Sequence, residues 1–116
     1  MYQQLFTRLA LTGASSSEVS QPVAMQGANG TQFDFVVISL SGTGTPTVTI
    51  TIQESNDLEN WKDRSGTGST SNSTAVGYTL SAVATSVSAG YVRAKVVLTG
   101  TTPIAVVSVG LNTAAL

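Results

Sequence analysis

Hydrophobic and polar positions alternate with a period of two over much of the chain, as in strands half-buried against a core. The clearest case is Thr47-Val48-Thr49-Ile50-Thr51-Ile52-Gln53, with Val48, Ile50 and Ile52 on one face and three threonines on the other. Tyr91 to Leu98 repeats the pattern: Val92, Ala94, Val96 and Leu98 point one way, and Tyr91, Arg93 and Lys95 the other. Val76, Tyr78 and Leu80 form a shorter alternating set. Phe33 to Leu40 and Ile104 to Leu111 are apolar on both faces. Each predicts either a central strand covered on both sides or a strand that faces a neighbouring subunit.

Turn residues punctuate these strands. Gly42-Thr43-Gly44-Thr45-Pro46 separates the Phe33 and Thr47 segments. Gly100-Thr101-Thr102-Pro103 joins the last two strands and predicts a hairpin loop. Ser65 to Thr74 offers no anchoring side chain and predicts a mobile exposed loop. Residues 1–20 are read as an extended N-terminal arm or edge strand, with a short helix over Tyr2, Leu5, Phe6 and Leu9 as the alternative. The whole predicts an all-β fold: one antiparallel β-sandwich or jelly roll over residues 1–116, with about seven to eight strands.

Composition narrows the function. The 116 residues include no Cys and no His, which removes disulfides, thiolate chemistry, the commonest general base and the commonest zinc ligand. Charged residues make up 9% of the chain, against about 25% in an average soluble protein. The net charge is −1, and the five basic residues are not clustered, so no nucleic-acid partner is expected. With 15 Ser and 17 Thr, hydroxyls replace charge as the hydrating groups. A surface this weakly charged favours association. No apolar run is long enough for a membrane-spanning helix, and the N-terminus lacks the pattern of a signal peptide.

Six of the eleven charged residues fall between Glu54 and Arg64. Such a carboxylate group could hold Ca²⁺ or serve glycoside hydrolysis, but the spacing is not that of an EF-hand loop. The expectation is a solvated loop of mixed sign, with no metal and no cofactor. No Gly-x-Ser-x-Gly elbow and no phosphate-cradling glycine motif occurs. No catalytic residue is assigned, and an enzyme is not expected. Trp61 is read as core rim, a sugar-stacking platform or a protein-contact anchor. Tyr91 and Arg93, opposite the inward set, are read as exposed or at an interface.

The stretch Val48 to Trp61 runs from a strand into Gln53-Glu54-Ser55-Asn56-Asp57, with Trp61 four residues after the Asp. It resembles a pattern in discoidin-type β-sandwich modules, and more closely one in small head or tail structural proteins of tailed phages. Ala89-Gly90-Tyr91-Val92-Arg93 is similar to a second element of that pattern, in the same order along the chain. Ser55, Asn56 and Asp57 would close the turn by side-chain bonds to backbone N–H groups. Leu58 departs from the pattern, where Gly is common.

The resemblance implies a non-enzymatic virion structural protein, a capsid decoration (cement) or minor head protein at the capsid surface. Its partners would be the major capsid protein or other virion proteins. A homo-oligomer, with a trimer as one arrangement, would hide the surplus apolar face. The candidate interaction surface is Leu5, Phe6, Trp61, Tyr91 and Arg93. The alternatives are a carbohydrate-binding discoidin-like module, with Trp61 stacking on a sugar, and a self-assembling surface or fibre subunit.

Overall fold

A computed structural model describes all of residues 1–116. The chain forms ten strands and no helix: β1 (Tyr2–Thr12), β2 (Ser16–Val19), β3 (Val23–Ala24), β4 (Gly30–Ser41), β5 (Thr47–Ser55), β6 (Lys62–Asp63), β7 (Thr70–Ser73), β8 (Gly77–Leu80), β9 (Tyr91–Thr99) and β10 (Ile104–Ala114). They make two antiparallel sheets. The four-stranded sheet runs β1-β10-β4-β8; the six-stranded sheet runs β2-β9-β5-β6, with β3 also on β9 and β7 also on β5. The expected all-β sandwich is present, with more strands than the seven to eight expected. The extra ones are pieces of two to four residues, too short for alternation to register.

The core lies where the period-two faces meet. Val48, Ile50 and Ile52 on β5 and Val92, Ala94, Val96 and Leu98 on β9 are completely buried. They meet Phe33, Phe35 and Val37 on β4 and Ala105, Val107, Val109 and Leu111 on β10. The Phe33 and Phe35 rings stack with centroids 6.4 Å apart. The two strands that are apolar on both faces are thus neighbours, Val107 opposite Val37 and Val109 opposite Phe35, at the centre of the four-stranded sheet.

Three expectations are corrected. Gly100–Pro103 is not a hairpin, because β9 and β10 belong to different sheets. The loop carries the chain across the sandwich, as Gly42–Pro46 does between β4 and β5. The two crossings are zipped together: Thr101 N–H donates to the Thr43 carbonyl at 3.0 Å, and the Thr43 and Thr102 hydroxyls bond at 2.9 Å. Gly42 has a φ of +122°, and a Cβ there would run into the Thr102 carbonyl. Ser65–Thr74 is not one free loop either. Ser69 is buried, its carbonyl accepts the Ile52 N–H at 2.9 Å, and Thr70–Ser73 pairs with Val48–Thr51. The backbone ladder supplies the anchor that the side chains lack. Third, Tyr78 and Leu80 turn away from the core, since Thr79 takes the inward position opposite Phe35.

Tyr2–Thr12 pairs along β10 as an edge strand, and Ser16–Val19 is the edge of the other sheet. Two bulges interrupt β1, and Arg8 sits in the second. Bulges and a charge discourage further strand pairing at an open edge. Phe35→Ala should lower the free energy of unfolding by about 3–5 kcal/mol in urea denaturation, the cost of a large core cavity. A loss below about 1 kcal/mol would contradict this placement of the core.

Candidate interaction faces

Three of the five candidate residues converge at one end of the outer face of the six-stranded sheet. β5 runs antiparallel to β9, so Gln53 lies opposite Arg93 and Ser55 opposite Tyr91. The Arg93 Nε–H donates to Gln53 Oε1 at 2.8 Å, and the Gln53 amide donates to Asp63 Oδ1 at 2.8 Å. The Arg93 guanidinium then lies over the Trp61 ring, 4.2 Å from its centroid. Burial pulls its pKa below the ordinary value, though a guanidinium stays charged across the working pH range. Trp61 is half-buried against Arg93 rather than part of the apolar core.

The turn that delivers Trp61 closes on side chains. Ser55 Oγ accepts the N–H groups of Asp57 (3.2 Å) and Leu58 (3.0 Å). Asp57 Oδ1 accepts those of Glu59 (2.9 Å) and Asn60 (2.8 Å), and Asp57 Oδ2 accepts the Asn60 amide at 2.7 Å. The Asn60 bonds, then those from Glu59 and Ser55, hold the Asp57 carboxyl well below the usual carboxylate range. Leu58 takes a left-handed φ of 65°, the conformation glycine would hold without strain. Trp61 Nε1–H donates back to the Leu58 carbonyl at 3.3 Å. Asn56 Oδ1 accepts the Gly90 N–H at 2.9 Å, which ties the turn to the start of β9. The two sequence elements that travel together are therefore two walls of one structure.

The acidic segment has internal uses. Asp57 organises the turn, Asp63 bonds Gln53, and Glu54 pairs with Arg64 at 3.4 Å. No three carboxylates converge in a way that could hold a metal ion. Leu5 and Phe6 lie elsewhere, on β1 of the other sheet, half-buried and packed against the core. The structure does not bring them to the Trp61 cluster.

A second face was missed in the sequence. On the outer side of the four-stranded sheet, Asp34 accepts the Tyr2 hydroxyl at 2.9 Å and the Tyr78 hydroxyl at 2.8 Å, one on each carboxylate oxygen. Tyr2 lies across Gly110, where any Cβ would strike its ring. Exposed Ile38, Val76, Leu80 and Ile104 extend this face. Asp34 inside the apolar Phe33–Leu40 run was the available signal: a carboxylate in a strand centre needs donors, and tyrosines on β1 and β8 supply them.

Neither protein-family models nor curated protein sequences match this chain. Its fold does have solved counterparts. The whole chain superposes on part of the PBSX exported protein XepA. The TM-score is 0.73 at 16% identity, covering 100% of this chain and 37% of XepA, so this chain spans little more than a third of XepA's length. PirA matches with a TM-score of 0.53 at 14% identity, over 90% of this chain and 93% of PirA. A chain in the structure of infectious bursal disease virus, Gx strain, matches at 0.53 and 9% identity, over 98% of this chain and 31% of that one. At these identities the likeness is one of fold. It runs to a phage-derived protein and gives no support to the discoidin-type part of the resemblance.

Two titrations check these faces. Asp57 has a folded pKa below its unfolded value of about 3.9, so its contribution to stability is complete above that value and fades as pH falls below it. Asp57→Asn should flatten the acid limb of the stability curve between about pH 5 and pH 2; an unchanged limb would contradict the turn geometry. Burial and Asp34 raise the Tyr2 pKa, and the Asp34 bond followed by burial raises that of Tyr78. Ultraviolet titration of Asp34→Asn should show these tyrosines ionising at lower pH than in the parent.

Proposed function

We propose that this chain is a non-enzymatic structural protein of a phage particle, acting as a capsid decoration or minor head protein that binds coat subunits. The observation that carries the reading is the Trp61–Arg93–Tyr91 end of the six-stranded sheet. Trp, Arg and Tyr are the residue types that dominate protein–protein contacts. Here Trp61 and Arg93 are held before any partner arrives, by the Gln53 bond, the Ser55–Asp57 turn and the Asn56–Gly90 tie. A contact made by side chains already fixed loses little conformational entropy on binding.

The mechanism is adhesion. Thr49, Thr51, Lys95 and Val97 continue the same face, giving a broad, mostly uncharged surface around the anchors. Many copies on a repeating lattice would add weak contacts into a stable coat. The location would be the virion, at the capsid surface, with the major capsid protein or another virion protein as partner and self-association of the chain as part of the arrangement. Support comes from the fold, which a PBSX exported protein and a chain in a virus structure also use. The strand order, with the chain crossing repeatedly between the two sheets, supports reading the sandwich as a jelly roll. Carbohydrate binding is the weaker reading, because the Arg93 guanidinium occupies one face of the single Trp ring.

Co-sedimentation with undecorated capsids tests this directly. The parent chain should pellet with capsids, and Trp61→Ala or Arg93→Ala should weaken binding about 30-fold or more, as for anchor residues. No capsid binding by the parent, or Trp61-dependent binding on a glycan array, would overturn the reading.

A further inference from the structure

We infer that the outer face of the four-stranded sheet is covered by a second copy of this chain. The inference names the surface behind the self-association in the reading above. It does not depend on what the Trp61 face binds.

The six-stranded sheet covers only one side of central strands β4 and β10, and the other side carries Gln32, Asp34, Ser108 and Asn112 as well as apolar residues. On the other side lie Val36 and Val106, half-buried, and Ile38 and Ile104, exposed. β8 adds Tyr78 at 60% exposure and Leu80 at 56%, and Val76 precedes it at 62%. The same strands thus bury one apolar face and present a second, partly apolar one, to solvent.

Size fits a stable contact between copies. Two long central strands of 11 and 12 residues, flanked by β1 and the short β8, give a face of roughly 600 Å² at standard strand rise and spacing. Two such faces would bury roughly 1,200 Å², the lower bound of a standard stable interface.

Charge permits the same match. The one carboxylate among these outward residues of β4, β8 and β10, Asp34, already has a tyrosine hydroxyl on each oxygen. The tyrosine clamp meets the hydrogen-bonding capacity of both carboxylate oxygens before association. The chain's net charge of −1 leaves little repulsion between copies. The polar six-stranded face, carrying Lys95 and Arg93, stays free for a different partner.

Light scattering of the purified full chain should give twice the monomer mass of 11.9 kDa, the mass of a face-to-face dimer. Leu80→Lys and Ile104→Lys, both at exposed positions, should keep the native circular dichroism spectrum and raise the dissociation constant at least about tenfold per substitution. Should either lysine variant unfold, Leu80→Ser and Ile104→Ser apply the same test more gently. Val19→Lys, exposed on the other sheet, should leave the mass unchanged. Trp61→Ala should also leave the mass unchanged while weakening capsid binding, which separates a failure of this inference from a failure of the coat-binding reading. A parent chain that stays monomeric at all concentrations would overturn the inference. So would an oligomer insensitive to Leu80 and Ile104, or a monomer whose Leu80 face binds capsids instead.

Discussion

The packing of β5 and β9 against β4 and β10 is the constraint on which the rest of the molecule depends. With no Cys, nothing covalent staples the two sheets. Their stability rests on one dry layer of Val, Ile, Leu, Ala and Phe. That layer requires the chain to change sheets before β5 and at both ends of β9, because a partner for an inward face must come from the opposite sheet. The zipped Gly42–Pro46 and Gly100–Pro103 crossings are the local consequence. The surplus apolar side of β4 and β10 is the global one: a sandwich of only two layers cannot cover both faces of both sheets.

The features that were legible in the sequence were those with a long period. Thr47–Gln53 and Tyr91–Leu98 gave both strand and facing, since seven or eight alternating residues leave no other register. The two doubly apolar segments were legible as unusual: they are central in the sheet, but covered on one side and not on both. Pairing was not legible. A Gly-Thr-Thr-Pro link between strands looks the same whether it closes a hairpin or crosses a sandwich; only the partners of β9 and β10 decide it. Thr70–Ser73 gave no signal, because its stability comes from backbone bonds to β5 and not from its side chains.

The candidate surface was legible in part. The Ser55–Asp57 turn, Trp61, Tyr91 and Arg93 were found because their residue types are rare in this chain and their spacing was informative. Leu58 stood out as a departure, and its left-handed φ explains why glycine suits that position. Leu5 and Phe6 lie apart from this cluster. Strand bulges in β1 shift the facing, and both pack on the core. The Tyr2–Asp34–Tyr78 clamp joins residues 32 and 44 positions apart in sequence, so only the sheet order brings them together.

The molecule has two outer faces of different chemistry, one polar with fixed aromatic and guanidinium anchors, the other partly apolar. A cryo-electron microscopy reconstruction of capsids incubated with the purified chain tests that division most directly. The expected density places the Trp61–Arg93 end of the six-stranded sheet on the coat lattice and the β4–β10 face against another copy. A decorated capsid with the Trp61–Arg93 end open to solvent, or capsids that carry no such density, would contradict it.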